Sequence, residues 1–193
     1  MCEVNLFKGK FQVFTEKTKK ASPKPPTKNR LRNIALYYLE RFESSKENLR
    51  KVLYRRIDKY VFINKEYNPK QAYLWADEVV KECLEQNFVN DERFADFKIN
   101  DYLTAGKSKR YIEQKLKQKG IDEAIVSQFF ENSSYSELNT ALQFAKKKKI
   151  GCFRENDDDK KANRQKDLAT LVRAGFDYDV AKTVLESENQ PAT

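Results

Sequence analysis

The chain has 193 residues, with 38 Lys and Arg against 29 Asp and Glu, no His, and a formal charge of +9. Without His it lacks the commonest general base and nucleophile activator, and its five Gly stand singly, so no glycine-rich phosphate loop is present. Cys2, Cys83 and Cys152 are far apart and form no C-x-x-C, so with no His to complete a zinc site they read as reduced thiols of a cytosolic protein.

Residues 1–28 read as a disordered basic arm. Lys17, Lys19, Lys20, Lys24 and Lys28 surround Ser22-Pro23-Lys24-Pro25-Pro26, where proline favours extended backbone and the lysines repel one another. The start, Met1–Phe14, mixes charges with its apolar residues and is no signal peptide. No apolar run is long enough to span a membrane.

From about residue 30 the spacing is helical. Leu31, Ile34, Ala35, Tyr38, Leu39 and Phe42 line one face of a first helix. Ser44 and Ser45 offer an N-cap to a second, which continues through Leu49, Val52, Leu53 and Ile57. Asn68-Pro69 starts a third, with Asn as cap and Pro in the first helical position, and Tyr73, Ala76, Val79, Val80, Cys83 and Leu84 as its buried face. Asn90-Asp91-Glu92 opens a fourth, ended by Gly106. Ser108 caps a fifth through Ile112 and Leu116, closed by Gly120, and Asp122 caps a sixth with Ile125, Val126, Phe129 and Phe130. A seventh runs through Leu138, Ala141, Leu142 and Ala145 into Lys146–Lys149, an eighth covers about 160–174, and Asp177 caps a ninth with Val180, Ala181, Val184 and Leu185.

These helices repeat. Lys119-Gly120-Ile121-Asp122 matches Ala174-Gly175-Phe176-Asp177 at an offset of 55, which also carries Leu116 onto Leu171. Ser45-Lys46 matches Ser108-Lys109 at an offset of 63, with an insertion near 58–68 in the earlier copy. The expected fold is all-α: a tandem stack of three three-helix units, 29–89, 90–133 and 134–188, forming an elongated curved body, with a disordered end at 189–193.

Charge is distributed unevenly. Residues 76–101 hold eight acids and three bases, whereas 107–119 hold six bases, Lys107, Lys109, Arg110, Lys115, Lys117 and Lys119, against Glu113 alone. Such a face meets phosphates or the carboxylates of a partner, or simply solvates the helix. Asp157-Asp158-Asp159 is the one dense carboxylate cluster; adjacent side chains seldom converge on a metal, and the acids suit the N-terminus of the eighth helix. Tyr37, Tyr38, Tyr54, Tyr60 and Tyr67 can stack on bases, although tyrosines at helical spacing are more often core or rim. Neither a catalytic, cofactor-binding nor metal-binding residue is expected.

Three motifs in order resemble the RecX family of bacterial recombinase regulators. Leu39-Glu40-Arg41-Phe42-Glu43-Ser44-Ser45 with Leu49 resembles its opening L-x-R-R-x-x-S-x-x-E-L, Asn90-Asp91-Glu92-Arg93-Phe94-Ala95 its D-D-x-R-F-A, and Leu171-Val172-Arg173-Ala174-Gly175-Phe176 its closing L-x-R-R-G-F. Phe42 and Ala174 stand where the family often has a second Arg, and Asn48 where Glu is usual. The resemblance implies a three-unit helical protein of the cytoplasm that binds RecA recombinase and its nucleoprotein filament as a monomer, with at most weak DNA contact and no membrane. It implies inhibition of filament growth, ATPase and strand exchange, with Arg41 and Arg173 joining the cations of 107–119 as partner-binding candidates. The alternative is a direct DNA-binding helical protein, in which paired short helices such as 108–119 and 122–131 act as a helix-turn-helix.

Overall fold

A computed structural model describes residues 23–187, and among these the chain is helical without a strand. The first unit is α1 (Lys28–Leu39), α2 (Lys46–Ile63) and α3 (Lys70–Glu85); the second is α4 (Asp91–Thr104), α5 (Lys109–Gln118) and α6 (Glu123–Asn132); the third is α7 (Glu137–Lys148), α8 (Asp157–Arg173) and α9 (Tyr178–Glu186), with a single 3-10 turn at Gly151–Phe153. The basic arm expected over 1–28 lies outside the described residues up to residue 22, and so does the end expected at 189–193. Residues 23–27 are described and irregular, and α1 then begins within the expected arm, at Lys28, where the Thr27 hydroxyl accepts the Arg30 amide at 3.4 Å.

Local chemistry sets the other boundaries. Ser45, Asn90, Ser108, Asp122, Ser136 and Asn156 each accept a first-turn amide, which satisfies a donor the helix leaves free. Asp177 occupies the cap position of α9 without such a bond; its own amide instead donates to the Glu137 carboxylate at 3.0 Å. The Pro69 backbone is already helical and the Asn68 side chain accepts the Lys70 amide at 3.1 Å. α1 stops at Leu39, so Phe42 lies beyond the helix and is exposed rather than on its buried face. Both Arg41 and Phe42 turn their amides to the Tyr38 carbonyl there, which closes the last turn. α8 starts at Asp157, three residues before the expected 160, because Asn156 caps it and three acids occupy its positive end.

Buried side chains fall into three clusters. Leu31, Leu49, Leu53, Ile57, Val79 and Cys83 belong to the first; Phe94, Ile99, Ile112, Leu116 and Val126 to the second; Ala141, Ala145, Leu171, Phe176 and Val184 to the third. Burial pushes the Cys83 and Cys152 thiols up from their ordinary pKa, which suits core residues and not nucleophiles. Tyr54 and Tyr73 of the first unit donate to Asp77 and Asp58, tying α2 to α3.

The units meet through a repeated joint. Ser45 Oγ, the cap of α2, donates to the Lys119 carbonyl at 2.7 Å, and Ser108 Oγ, the cap of α5, donates to the Ala174 carbonyl at 2.7 Å. The residue after each accepting carbonyl is a glycine in the left-handed region, Gly120 at φ +75° and Gly175 at φ +93°. A β-carbon on Gly120 would lie 2.4 Å from Glu47 Cβ, and one on Gly175 would lie 2.6 Å from Ser108 Oγ and 3.5 Å from Arg110 Cβ. Glu47 and Arg110 are themselves related by the offset of 63. Each glycine therefore both turns the chain and lets the preceding unit approach. The first and third units share no hydrogen bond or ion pair among the described residues, so the second stands between them.

One core position breaks the repeat. The offset of 55 that aligns the second and third units carries buried Ile112 onto Asp167, which is 2% exposed. Arg154 donates to both of its oxygens at 2.7 and 2.8 Å, and the Gly151 amide adds a bond at 2.9 Å. Burial works to raise the Asp167 pKa, but the Arg154 and Gly151 hydrogen bonds prevail and hold it below the ordinary carboxylate value. The same bonds to Asp167, with one to Asp159, hold the Arg154 guanidinium in its charged form.

Candidate interaction surface

α5 spans the joint on both sides, with its N-cap against Ala174 of the third unit and its last carbonyls against α2 of the first. Its apolar stripe, Ile112 and Leu116, is fully buried, which leaves the cations on the remaining surface. The structure divides them. Lys107 and Lys115 both lie over the Tyr111 ring, 5.1 and 5.5 Å from its centroid. Lys109 lies 3.9 Å from Glu113 and 5.1 Å from the Phe130 centroid. Arg110, Lys117 and Lys119 are exposed, and Arg110 and Lys117 edge a shallow concavity that also holds Glu113 and Glu123. Four of the six expected cations lie on α5, with Lys107 before its cap and Lys119 at its end, and the six do not form one uniform patch. The turn from α5 to α6, a candidate helix-turn-helix, is occupied by packing, because Gly120 abuts Glu47 and Ile121 is buried.

The two remaining candidates lie outside α5. Arg173 is exposed at the end of α8 and donates to the Ala169 carbonyl and weakly to Thr170. Arg41 follows α1, with its guanidinium 4.1 Å from the centroid of the Tyr37 ring. It edges a cleft of about 680 Å³ between α1 and α2, together with Arg30, Arg56, Tyr37, Tyr38 and Phe42. Sequence patterning treats these tyrosines as a single class. The structure separates Tyr54, Tyr60 and Tyr67, packed ring-to-edge or against the core, from Tyr37, which is 57% exposed. The i, i+4, i+7, i+11 spacing of Arg30, Ile34, Tyr37 and Arg41 carries this face in retrospect.

The acidic triplet behaves as first-turn residues. Asp157 pairs with Lys160, and Asp159 with Arg154 and Asn163, so these carboxylates are turned to separate protein donors. Among the described residues no cluster of His, Cys, Asp and Glu is arranged to hold a metal, and no helix is long and apolar enough to cross a membrane.

A family model for RecX, second three-helix domain, matches residues 90–128. A regulatory protein RecX of Myxococcus xanthus is 35% identical over 178 residues, which covers 89% of this chain and 94% of that protein. The chain belongs to the RecX family. A second RecX, from Agrobacterium fabrum, is 25% identical and covers 83% of the chain and 84% of its own length. The crystal structure of RecX from Lactobacillus salivarius shares the fold, with a TM-score of 0.58 at 19% identity over 82% of this chain and 94% of that one.

Several residues of the RecX-like motifs lie in the joints. Within Asn90–Ala95, Asp91 accepts the Lys46 amide at 2.8 Å, Arg93 pairs with Glu43 at 2.8 Å, and Phe94 and Ala95 are buried. Of the departures from the RecX pattern, Asn48 donates to Tyr38 and to Ser44, linking the end of α1 to the start of α2. Ala174 supplies the carbonyl that Ser108 binds, a role for which its side chain is immaterial.

Proposed function

We propose that this RecX-family chain is a non-catalytic regulator that binds RecA recombinase and its filament on single-stranded DNA and inhibits filament growth, ATPase and strand exchange. The observation that carries this reading is the similarity to a RecX regulatory protein across 89% of the chain. The units are bounded at 29–89, 90–133 and 134–188, and the chain acts in the cytoplasm as a monomer without a cofactor. The exposed cations of α5, Arg110, Lys117 and Lys119, make the principal electrostatic contact. Lys107, Lys109 and Lys115 support it from beside their aromatic partners, and Arg41 and Arg173 add contacts on either side.

The test replaces Arg110, Lys117 and Lys119 together by Glu. Lys109 is left alone because of its place between Glu113 and Phe130. Helicity should be retained, since Glu is a good helix former. Inhibition of recombinase ATPase on single-stranded DNA should weaken, and its salt dependence should become shallower. An equal charge change at exposed Lys59, Lys65 and Lys70 is the control. Equal inhibition by both variants and wild type would remove α5 from the contact.

A further inference from the structure

The cleft between α1 and α2 combines arginines with exposed aromatic rings. Its rim carries Arg30, Arg41 and Arg56, and its wall carries Tyr37, Tyr38 and Phe42, without a carboxylate among the lining residues. On the same two helices Arg32 binds Glu82 at 2.7 Å and Arg50 binds Glu47 and Asp77 at 2.8 and 3.0 Å, whereas Arg55, outside the cleft, donates to the Lys51 carbonyl. None of the three cleft arginines has an ion-pair partner among the described residues. Such a concentration of uncompensated cation raises the local density of anions.

The aromatic wall specifies what kind of anion. Tyr37 and Phe42 are 57% and 56% exposed, a large apolar area to leave in water beside three charges. Phe42 leans on Tyr38, with ring centroids 5.3 Å apart, and Tyr38 is fixed by its hydrogen bond from Asn48. Arg41 holds the Tyr37 ring from one side. These are planar surfaces kept in place by neighbours, with guanidinium groups at their margins. That pairing of ring and cation suits a chain in which flat bases alternate with phosphates. A duplex hides its base faces in the stack, so only an unpaired strand can use the rings. At about 680 Å³ the cleft lies within the range of pockets that enclose a small ligand.

We propose that this cleft binds single-stranded nucleic acid, with an unstacked base on Tyr37 and Phe42 and the flanking phosphates on Arg30, Arg41 and Arg56. The site belongs to the first unit, and it needs no recombinase.

The test titrates the full chain with a labelled fifteen-nucleotide oligothymidine (an arbitrary length of about one to a few site sizes), read by fluorescence anisotropy across a salt series. Tyr37→Ala should weaken binding about tenfold, whereas Tyr37→Phe, which keeps the ring, should bind like wild type. Arg30→Gln and Arg56→Gln should each make the plot of log affinity against log salt shallower by about 0.7, the increment for one phosphate contact on a single strand. Circular dichroism of each variant establishes that the helices are intact. Unchanged affinity in Tyr37→Ala, or no binding by wild type at low salt, would overturn the proposal. So would binding of a polyglutamate peptide at the cleft, lost on Arg56→Gln, in preference to the oligonucleotide; the cleft would then receive an acidic protein segment.

Discussion

Replacing Gly120 by Ala should separate the first two units, and the structure sets the size of the effect. At φ +75° a β-carbon costs about 1 kcal/mol in the backbone alone. The added carbon would also lie 2.4 Å from Glu47 Cβ and 2.6 Å from Glu47 Cγ, atoms near the backbone of α2 that cannot swing aside as a side-chain tip would. Overpacking of this kind costs about 1–3 kcal/mol, for a total of about 2–4 kcal/mol. Gly106→Ala provides the control, because that residue has φ +73° but its added carbon would find its nearest neighbour, the Phe144 backbone, at 3.4 Å. It should lose only the conformational part, about 1 kcal/mol. Urea unfolding followed by far-ultraviolet circular dichroism measures both, and limited proteolysis shows whether the α2–α5 joint opens first. If Gly120→Ala is no more destabilising than Gly106→Ala, the glycine is an ordinary helix stop and the close approach of the units is not energetically significant.

Ser45→Ala and Ser108→Ala should each cost about 1–2 kcal/mol through the lost cap and the stranded carbonyl, and the two effects should add in urea titrations because the joints share no residue. Asp167→Ala should cost about 3 kcal/mol, the low end for breaking a buried pair because Arg154 keeps Asp159, while Asp167→Leu with Arg154→Met should cost less, since it removes both charges and strands only the Gly151 amide. Because the folded Asp167 pKa is lowered, its contribution is complete above the unfolded carboxylate value of about 4 and is lost as pH falls through the folded value; melting curves from neutral to acid pH should show a smaller acid-side decline in the double variant. Truncation after residue 28 removes the Thr27 cap and the Lys28 contacts to Glu78 and Glu82, and should lower the melting temperature relative to truncation after residue 26.

The helices were legible because their signals are local. Ser, Asn and Asp caps and the three-and-four apolar spacing act within one turn, and the Gly-x-Asp recurrence at an offset of 55 revealed the repeat. What a repeat cannot disclose is which of its residues face the neighbouring copy. Gly120 reads as a helix stop, and only the distance to Glu47 shows that it is also a contact. Asp167 breaks the apolar stripe of α8, and its buried place depends on Arg154, which comes from a different local element. Counting charge along 107–119 found the cations and Glu113 but not Glu123 beside them in the fold, nor the rings that take up Lys107, Lys109 and Lys115. The cleft of Arg30, Arg41 and Arg56 was illegible as a unit because α1 and α2 contribute to it separately.

We propose that this chain acts on a recombinase filament. The most direct test measures binding of the full chain to bare single-stranded DNA, to RecA recombinase alone, and to the assembled filament, with ATPase followed in the same samples. Binding should be tightest to the filament, with ATPase falling as the filament becomes occupied. Binding to bare DNA that equals or exceeds binding to the filament, with ATPase unchanged at saturation, would contradict the proposal and leave a direct DNA-binding protein.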